Sequence, residues 1–468
     1  MSKKRIDTEN SKVTSAEFDE KGVSRRNLLR NAALGGLGTV AATSTMLGDM
    51  NESKAAEGEP IPIGHALAFT GWAAHDAAEF KNGCEMAVEE INAMGGILGR
   101  PLVSYYEDTK NMSADETVGA FNRLIDRHEV HAIINGYNIG SNNAEYEVIA
   151  DTGIIQIHDN TIVSHDELYR SDPERHFGSF MADPPEFYYG PGYIHFISWL
   201  RDTGQWKPRN NKIALVSGSS EYSITIANAL AEEAPKYGWE IAFGPEIVAT
   251  PMSDWGPVLA KVREADPSAF VNTHWASQEI AQCQNQFMQD PIDCLTYYQF
   301  GAISAVFTDV AQDNALGVTV ATDIGLLQDE MGLEFEKKYR AKFGENSTPL
   351  VGCQTYTNLH MYAIAAAMAG GTGEPGNFDQ NRIVADRLSS FIYRSVLGAV
   401  NFRKETRSAL PFPSMTNDPS LGMPTLYFQI QENSPARALV SPPPYNTAEF
   451  MIPSWFKDNG GLPQIKKG

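Results

Sequence analysis

The chain has 468 residues, with 58 Asp and Glu against 37 Lys and Arg, so its formal net charge at pH 7 is −21. An acidic balance of this size argues against nucleic acid or an anionic lipid surface as a partner, because both are polyanions. The length exceeds what one hydrophobic core normally holds, so two domains are expected.

The N-terminal residues have the features of an export signal. Arg25 and Arg26 precede a weakly hydrophobic, Ala- and Gly-rich run over residues 31–47, and a small-residue site follows at 53–55. Twin arginines ahead of a mild apolar run are typical of a Tat signal peptide, which we predict for residues 1–55. No other stretch approaches the roughly 20 apolar residues that span a bilayer. We therefore expect a periplasmic or extracellular protein without direct membrane insertion.

Strand and helix patterns alternate along the remaining sequence. Strands are predicted at 63–68, 102–107, 130–135, 154–158, 212–217, 240–243, 269–273, 295–298 and 317–322. Helices are predicted at 114–127, 143–151, 186–203, 222–237, 255–265, 277–289 and 359–369. This alternation predicts an α/β fold in which parallel sheets are covered by helices on both faces.

The first strand–helix–strand unit carries a recognisable motif. The loop Thr70-Gly-Trp-Ala precedes an amphipathic helix that ends in Asn92-Ala-Met-Gly-Gly-Ile-Leu-Gly-Arg-Pro101. The glycine pair suits a helix end, and Pro101 prevents the helix from resuming. The unit resembles the opening of type I periplasmic binding proteins of ABC importers, in the Leu/Ile/Val- and amide/urea-binding family.

The resemblance implies two doubly wound parallel-sheet lobes joined by a multi-strand hinge. Lobe one would hold residues 60–180 and 324–398, and lobe two residues 181–323 and 399–440. Residues 441–468 are expected to form a C-terminal tail on the surface. The resemblance also implies a receptor, expected to be a monomer, that closes on a small-molecule ligand and then docks on a membrane permease.

Ligands of parallel sheets bind beyond the carboxyl ends of the strands, so the loops there are the candidate site. After the third strand, the resemblance implies that Asn138 and Ser141 offer polar groups to a ligand carboxylate or carbonyl. The alternative is that both residues cap the helix that follows. After the fourth strand, the resemblance implies that Thr161 keeps a hydrogen bond to the ligand. Asp159 and Asn160 depart from the family pattern and are candidates to bind an amide or an amine.

Aromatic residues at other strand ends are predicted to form the walls of the site. Tyr222, Trp275 and Phe300 would form one apolar wall, with two further rings opposite them on lobe one, namely Trp72 and Tyr137. The alternative is that these rings plug the interlobe core.

Amino-acid binders of this family carry an acidic residue near the position of Phe300, where this chain offers an aromatic ring or Gln299. Either Asp159 therefore pairs with the ligand ammonium or the ligand lacks one. Branched-chain amino acids, short amides, urea and small organic acids all stay open as ligands.

Catalytic and metal motifs are missing from the sequence, so no enzyme, cofactor or metal site is predicted. The rival hypotheses are an exported α/β hydrolase of amides that uses His158 and Asp159, and a ligand receptor coupled to a membrane sensor.

The cysteines are too few for a disulfide scaffold. A bridge between Cys283 and Cys294 is possible outside the cytoplasm, although burial as small apolar residues is the commoner fate of isolated cysteines.

Overall fold

The computed structural model describes residues 56–433 and 437–466. The predicted export signal at 1–55 lies outside the described residues. Strands and helices alternate first as β1 Ile61–Leu67, α1 Ala74–Ala93, β2 Leu102–Asp108, α2 Ala114–His128, β3 Ala132–Ile134, α3 Glu145–Thr152, β4 Ile155–His158, α4 Val163–Ser171 and β5 Ser179–Met181. These strands form one parallel sheet in the order β2-β1-β3-β4-β5.

A second alternating series follows: α5 Tyr189–Asp202, β6 Lys212–Gly218, α6 Glu221–Glu233, β7 Glu240–Val248, α7 Gly256–Ala265, β8 Ala269–Asn272, α8 Ser277–Phe287, β9 Leu295–Tyr298, α9 Ala305–Ala311 and β10 Thr319–Thr322. The chain continues through α10 Glu330–Phe343, α11 Pro349–Met368, α12 Phe378–Leu388, β11 Tyr393–Ser395, β12 Gly398–Val400, β13 Pro411–Phe412, β14 Met423–Pro424, β15 Leu426–Gln429 and β16 Ala438–Ser441.

The second sheet has the order β16-β15-β10-β9-β8-β6-β7. Strands β6 to β10 run parallel, whereas β15 pairs antiparallel with β10 and β16 antiparallel with β15. The predicted α/β class with parallel sheets is confirmed. The antiparallel edge is an addition that the sequence pattern did not reveal.

Helices cover the first sheet because their apolar faces are buried on it. In α2, Ser113 accepts a hydrogen bond from the Glu116 N–H at the helix start, and Phe121, Leu124 and Ile125 are buried. On the other face, α1 and α11 cross closely, and the Thr355 hydroxyl donates to the Phe80 carbonyl over 2.7 Å. A residue far along the chain thus completes the cover of the first sheet.

The C-terminal part of the chain contacts both cores. Phe402 and Ala409 are buried with the side chains of the first sheet, and the Ala409 N–H donates to the Met181 carbonyl. Farther on, Ile452 and Trp455 are buried against the second sheet. Some residues after 441 therefore pack into a core, while most of this segment is exposed or half-buried. The predicted surface tail and the predicted bounds of the two lobes stay predictions.

Candidate functional site

A cavity of about 70 Å³ lies between the two sheets, at the carboxyl ends of their strands. Its walls are formed by Trp72, Tyr137, Ile139, Asp159, Asn160, Thr161, Tyr189, Tyr222, Trp275, Phe300 and Ile324. Parallel sheets present their loops at this end, so the location follows from the topology.

The first sheet contributes two aromatic rings from the loops after β1 and β3. The Trp72 and Tyr137 rings are stacked with their centroids 6.3 Å apart. The Tyr137 hydroxyl donates to Asp76 Oδ2 over 2.5 Å, which anchors its ring on α1. Gly71 adopts a φ of +100°, a conformation that glycine tolerates at the turn into Trp72. The loop after β1 therefore presents Trp72 to the cavity, and the stacked Tyr137 ring fixes its position.

The second sheet closes the opposite wall. Trp275 follows β8 and Phe300 follows β9, while Tyr189 and Tyr222 stand at the starts of α5 and α6. The Trp72 and Trp275 rings have centroids 5.4 Å apart, so the two walls touch at the mouth of the cavity. Trp72 is 53% exposed, which places this contact at the solvent boundary.

The loop after β4 supplies the polar floor. Asp159 and Asn160 are buried, and Thr161 adopts a left-handed backbone with φ of +52°. Such a backbone is costly for a β-branched residue and is found at sites where side chains must be aimed. The Thr161 hydroxyl donates to Asp183 Oδ2. Phe300 on the opposite wall also has a positive φ, of +48°.

Asp159 is one of a group of buried carboxyls that also includes Asp183 and Asp323. Burial raises the pKa of Asp159 to about 8 and that of Asp323 to about 7. Burial, and after it the charge of Asp159, raises the pKa of Asp183 well above its usual range. The free energy cost of desolvating a carboxylate is the common cause.

Three candidates from the sequence are buried but do not line the cavity. The Asn138 amide Nδ2 donates to the Ala66 carbonyl over 3.1 Å, and Ser141 Oγ lies 2.6 Å from Glu145 Oε2. Neither caps α3, which begins at Glu145 without a side-chain cap. Gln299 Nε2 donates to the Tyr222 hydroxyl over 2.9 Å. Gln299 therefore positions a cavity wall from behind.

Sequence reasoning missed Ile139, Tyr189 and Ile324 in the walls, together with the two carboxyls behind them. A signal was present for Asp323, because it directly follows β10 at the ligand-facing edge. Asp183 stands in the segment between the two alternating series, next to the predicted boundary between the lobes at residues 180 and 181. Tyr189 gave no signal, since an aromatic residue at a helix start is ordinary.

His158 has a structural role in the described residues. Its Nε2 lies 2.5 Å from the Tyr146 hydroxyl, and its Nδ1 accepts the Asn160 N–H over 3.1 Å. Burial lowers the pKa of His158 well below its ordinary value, so the ring is neutral. Both ring nitrogens of His158 therefore contact protein groups.

Residues 56–433 and 437–466 contain no cluster of His, Cys, Asp and Glu that could hold a metal ion. No helix within these ranges is long and apolar enough to cross a membrane. Cys84, Cys283, Cys294 and Cys353 are all buried as free thiols. The bridge considered between Cys283 and Cys294 is not formed.

A two-sheet molecule with a ligand-sized cavity at the carboxyl ends of both sheets is the architecture of a solute-binding receptor. The chain belongs to the periplasmic binding protein family, whose sequence profile it matches over residues 60–410. Members of this family bind small molecules and work with the membrane components of ABC transporters. The recognition made from the opening motif is thereby confirmed.

Solved structures agree with this assignment. A protein from Silicibacter pomeroyi, provisionally described as a branched-chain amino acid ABC transporter, is 46% identical, with a TM-score of 0.83 over 85% of this chain and 100% of its own. Among curated protein sequences no match is found.

Two more distant structures share the fold. LivJ from Streptococcus pneumoniae, in complex with isoleucine, is 19% identical with a TM-score of 0.62, over 81% of this chain and 98% of its own. A solute-binding protein from Rhodopseudomonas palustris, in complex with benzoate, is 12% identical with a TM-score of 0.62, over 84% of this chain and 99% of its own.

Proposed function

We propose that this chain is the exported solute receptor of an ABC importer and that it captures a small organic molecule in the cavity between its lobes. The contact of Trp72 with Trp275 across the cavity mouth carries the proposal, because it joins the two walls over the cavity between the sheets. A ligand that touches both walls stabilises the closed form, and the closed form docks on the permease.

The candidate ligands are branched-chain amino acids, short amides, urea and small organic acids. Isoleucine and benzoate in two proteins of the same fold support this range, since one fold accommodates a zwitterion and an aromatic acid. The ligand-binding residues would be the predicted ones that line the cavity, from Trp72 on one wall to Phe300 on the other.

The segments near residues 183 and 323 would serve as parts of the hinge. The first leads from the first sheet to the second, and the other leads from β10 of the second sheet to α10 and α11, of which α11 covers the first sheet. We propose lobe one as residues 60–180 and 324–398, extended to about 410 by the packing of Ala409, and lobe two as residues 181–323 and about 411–440. Export by the Tat route, a monomeric state and the absence of catalysis belong to the same proposal.

The test is thermal unfolding of the chain without residues 1–55 against a panel of amino acids, amides, urea and organic acids. A ligand at a hundred times its dissociation constant adds about 2.7 kcal/mol to the free energy of unfolding. Mass spectrometry then examines the ligand recovered from the complex. Stabilisation with intact ligand supports the receptor, whereas conversion of a compound would favour the hydrolase and contradict it.

A further inference from the structure

The charge of the cavity is the feature that the proposed function leaves unexplained. Asp159 lines the cavity and is 1% exposed. Its Oδ2 accepts a hydrogen bond from Asn358 Nδ2 over 2.7 Å, while its Oδ1 has no hydrogen-bond partner among the described residues. Because an ionised carboxylate is costly to bury without a cation, Asp159 holds a proton in the empty site below about pH 8, and a bound cation would allow it to ionise.

Two further carboxyls stand behind Asp159. Asp183 is fully buried and has one oxygen without a partner, and both carboxyl oxygens of Asp323 are without one in the described residues. Arginine and lysine side chains of the described ranges form their ion pairs with other acids, such as Arg403 with Asp166. The protein thus gathers three acidic groups beside the cavity and supplies no counter-charge within the part of the chain described.

The remaining walls suit a cation as well. Tyr137, Trp72 and Trp275 form a continuous run of rings across the cavity mouth, and Tyr189 and Tyr222 pack edge to face with their centroids 6.4 Å apart. Ring faces attract ammonium groups electrostatically, and a cage of several rings recognises alkylated ammonium ions. The lining contains no lysine, arginine or histidine to oppose this attraction.

The groups expected to receive a ligand carboxylate are already used. The Asn138 N–H donates to Asn160 Oδ1 over 2.8 Å, and Ser141 Oγ lies next to Glu145. The hydroxyl of Thr161 is directed to Asp183. A ligand carboxylate would therefore find these polar groups already engaged, and it would repel Asp159 whenever Asp159 is ionised.

We propose that the cavity binds a small organic cation, an amine or a methylated ammonium compound that carries no carboxylate beside its nitrogen. The inference rests on the proposed function and names the ligand class of that same site. A cavity of about 70 Å³ holds roughly five water-sized groups, which fits a compact cation.

The experiment is isothermal titration of the chain without residues 1–55 with matched compounds. Leucine is compared with isoamylamine, which is leucine without its carboxylate, and with isocaproate, which is leucine without its ammonium. Choline and tetramethylammonium represent methylated cations, and urea and benzoate represent neutral and anionic solutes. Binding of isoamylamine or of a methylated cation in preference to leucine, isocaproate, urea and benzoate is the expected result.

Two variants isolate the carboxyl. Asp159→Asn keeps the shape of the side chain and removes its charge, so cation affinity is expected to fall by at least about tenfold. Glu186→Gln is the matched control, because Glu186 is also buried with one unpartnered oxygen but does not line the cavity. Its affinity is expected to stay within about twofold of the parent protein. Trp275→Leu tests the cage independently and is expected to weaken methylated cations by about tenfold.

The outcomes separate the two proposals. Tight binding of leucine, urea or benzoate with no binding of the amines would overturn the cation inference and leave the receptor function standing. Equal loss in Asp159→Asn and Glu186→Gln would also overturn it, since the effect would not depend on the cavity. Failure of the whole panel, with no solute recovered from the purified protein, would reject both.

Discussion

At the scale of single residues, the proposed ligand class depends on Asp159. Its side chain faces Asp183, Asn358 and Cys353, and none of these carries a positive charge. Burial holds the pKa of Asp159 at about 8, so below that pH a proton occupies the carboxyl in the empty site. A bound cation takes the place of this proton.

The affinity for a permanently charged ligand such as choline should therefore rise with pH. Below the pKa of Asp159 the increase approaches about tenfold per pH unit, and it levels off above it. Titration calorimetry over this range, in buffers of different ionisation enthalpy, measures both the affinity and the proton released. Asp159→Asn should flatten the profile. A choline affinity independent of pH in the parent protein would contradict the assignment of the charge to this residue.

The sequence located cavity-lining residues where a side chain directly follows a strand. Trp275, Phe300 and Asp159 line the cavity because the carboxyl ends of parallel strands meet at one edge of the sheet, and their binding of a ligand stays a prediction. The sequence did not indicate the direction of a side chain within a loop. Asn138 lies in the right loop, but its amide donates to the Ala66 carbonyl, and no sequence pattern distinguishes that geometry from one facing a ligand.

At the scale of elements, the crossing of α1 and α11 links the covering helices to the cavity. A Cβ on Gly83 would lie 2.0 Å from the Gly352 carbonyl oxygen, so the two helices approach as closely as glycine permits. Helix α11 also carries Asn358, the donor to Asp159. Separation of the helices would therefore disturb the floor of the cavity.

We expect Gly83→Ala to lower the free energy of unfolding by about 1–3 kcal/mol, because backbone atoms must move to admit the methyl group. Ligand affinity should fall with it. The control is Gly119→Ala on α2, where the nearest atom is the mobile end of Arg123 at 3.3 Å. That change should be neutral or stabilise by about 0.5–1 kcal/mol, since alanine favours a helix interior. Chemical denaturation of both variants gives the comparison, and equal stability of the two would refute the close crossing.

Helices and strands with a clear pattern of apolar residues were predictable from the sequence, whereas very short strands were not. Strands β1, β6 and β8 appear as predicted because they are buried apolar runs between helical patterns. Strand β5 lies at the predicted boundary between the lobes and was not predicted, because a strand of three residues is too short to show a periodic hydrophobic pattern. β15 and β16 were absent from the predicted strands, because their antiparallel pairing depends on contacts between distant parts of the chain.

At the scale of the whole molecule, buried acids set the dependence of stability on pH. Burial holds the pKa of Asp159 and Glu186 at about 8 and that of Asp323 at about 7, far above the value of about 4 in an unfolded chain. At pH values between the unfolded-state pKa of about 4 and the folded-state values of about 7 to 8, the folded state binds more protons than the unfolded state. Its stability therefore falls as the pH rises through this window.

Histidines act in the opposite direction at lower pH. Burial lowers the pKa of His65 and His165 to about 4, whereas a histidine of the unfolded chain has a pKa of about 6.5. Their contribution to the free energy of unfolding is therefore complete above about pH 6.5 and is lost as the pH falls below that value, because only the unfolded state then takes up protons. Between about pH 6.5 and 8 these two histidines do not change the stability, so the change in stability over this interval reports on the buried carboxyls.

The ligand-free protein should accordingly be less stable at about pH 8 than at about pH 6.5, by up to about 1.4 kcal/mol per pH unit for each carboxyl that still titrates. Urea denaturation at both values measures the difference. Asp159→Asn and Glu186→Gln should each remove one group's share of the slope. A stability that increased over this interval would contradict the raised pKa values.

The four buried thiols bear on when and where the chain can fold. With every cysteine reduced and enclosed, the native state contains no bond that an oxidant must make. The sequence of events in Tat export, in which a protein matures in the reducing cytosol and is transported afterwards, is then chemically open to it. Refolding with and without dithiothreitol should give the same melting temperature, and a lower value under reduction would show that folding waits for the compartment beyond the membrane.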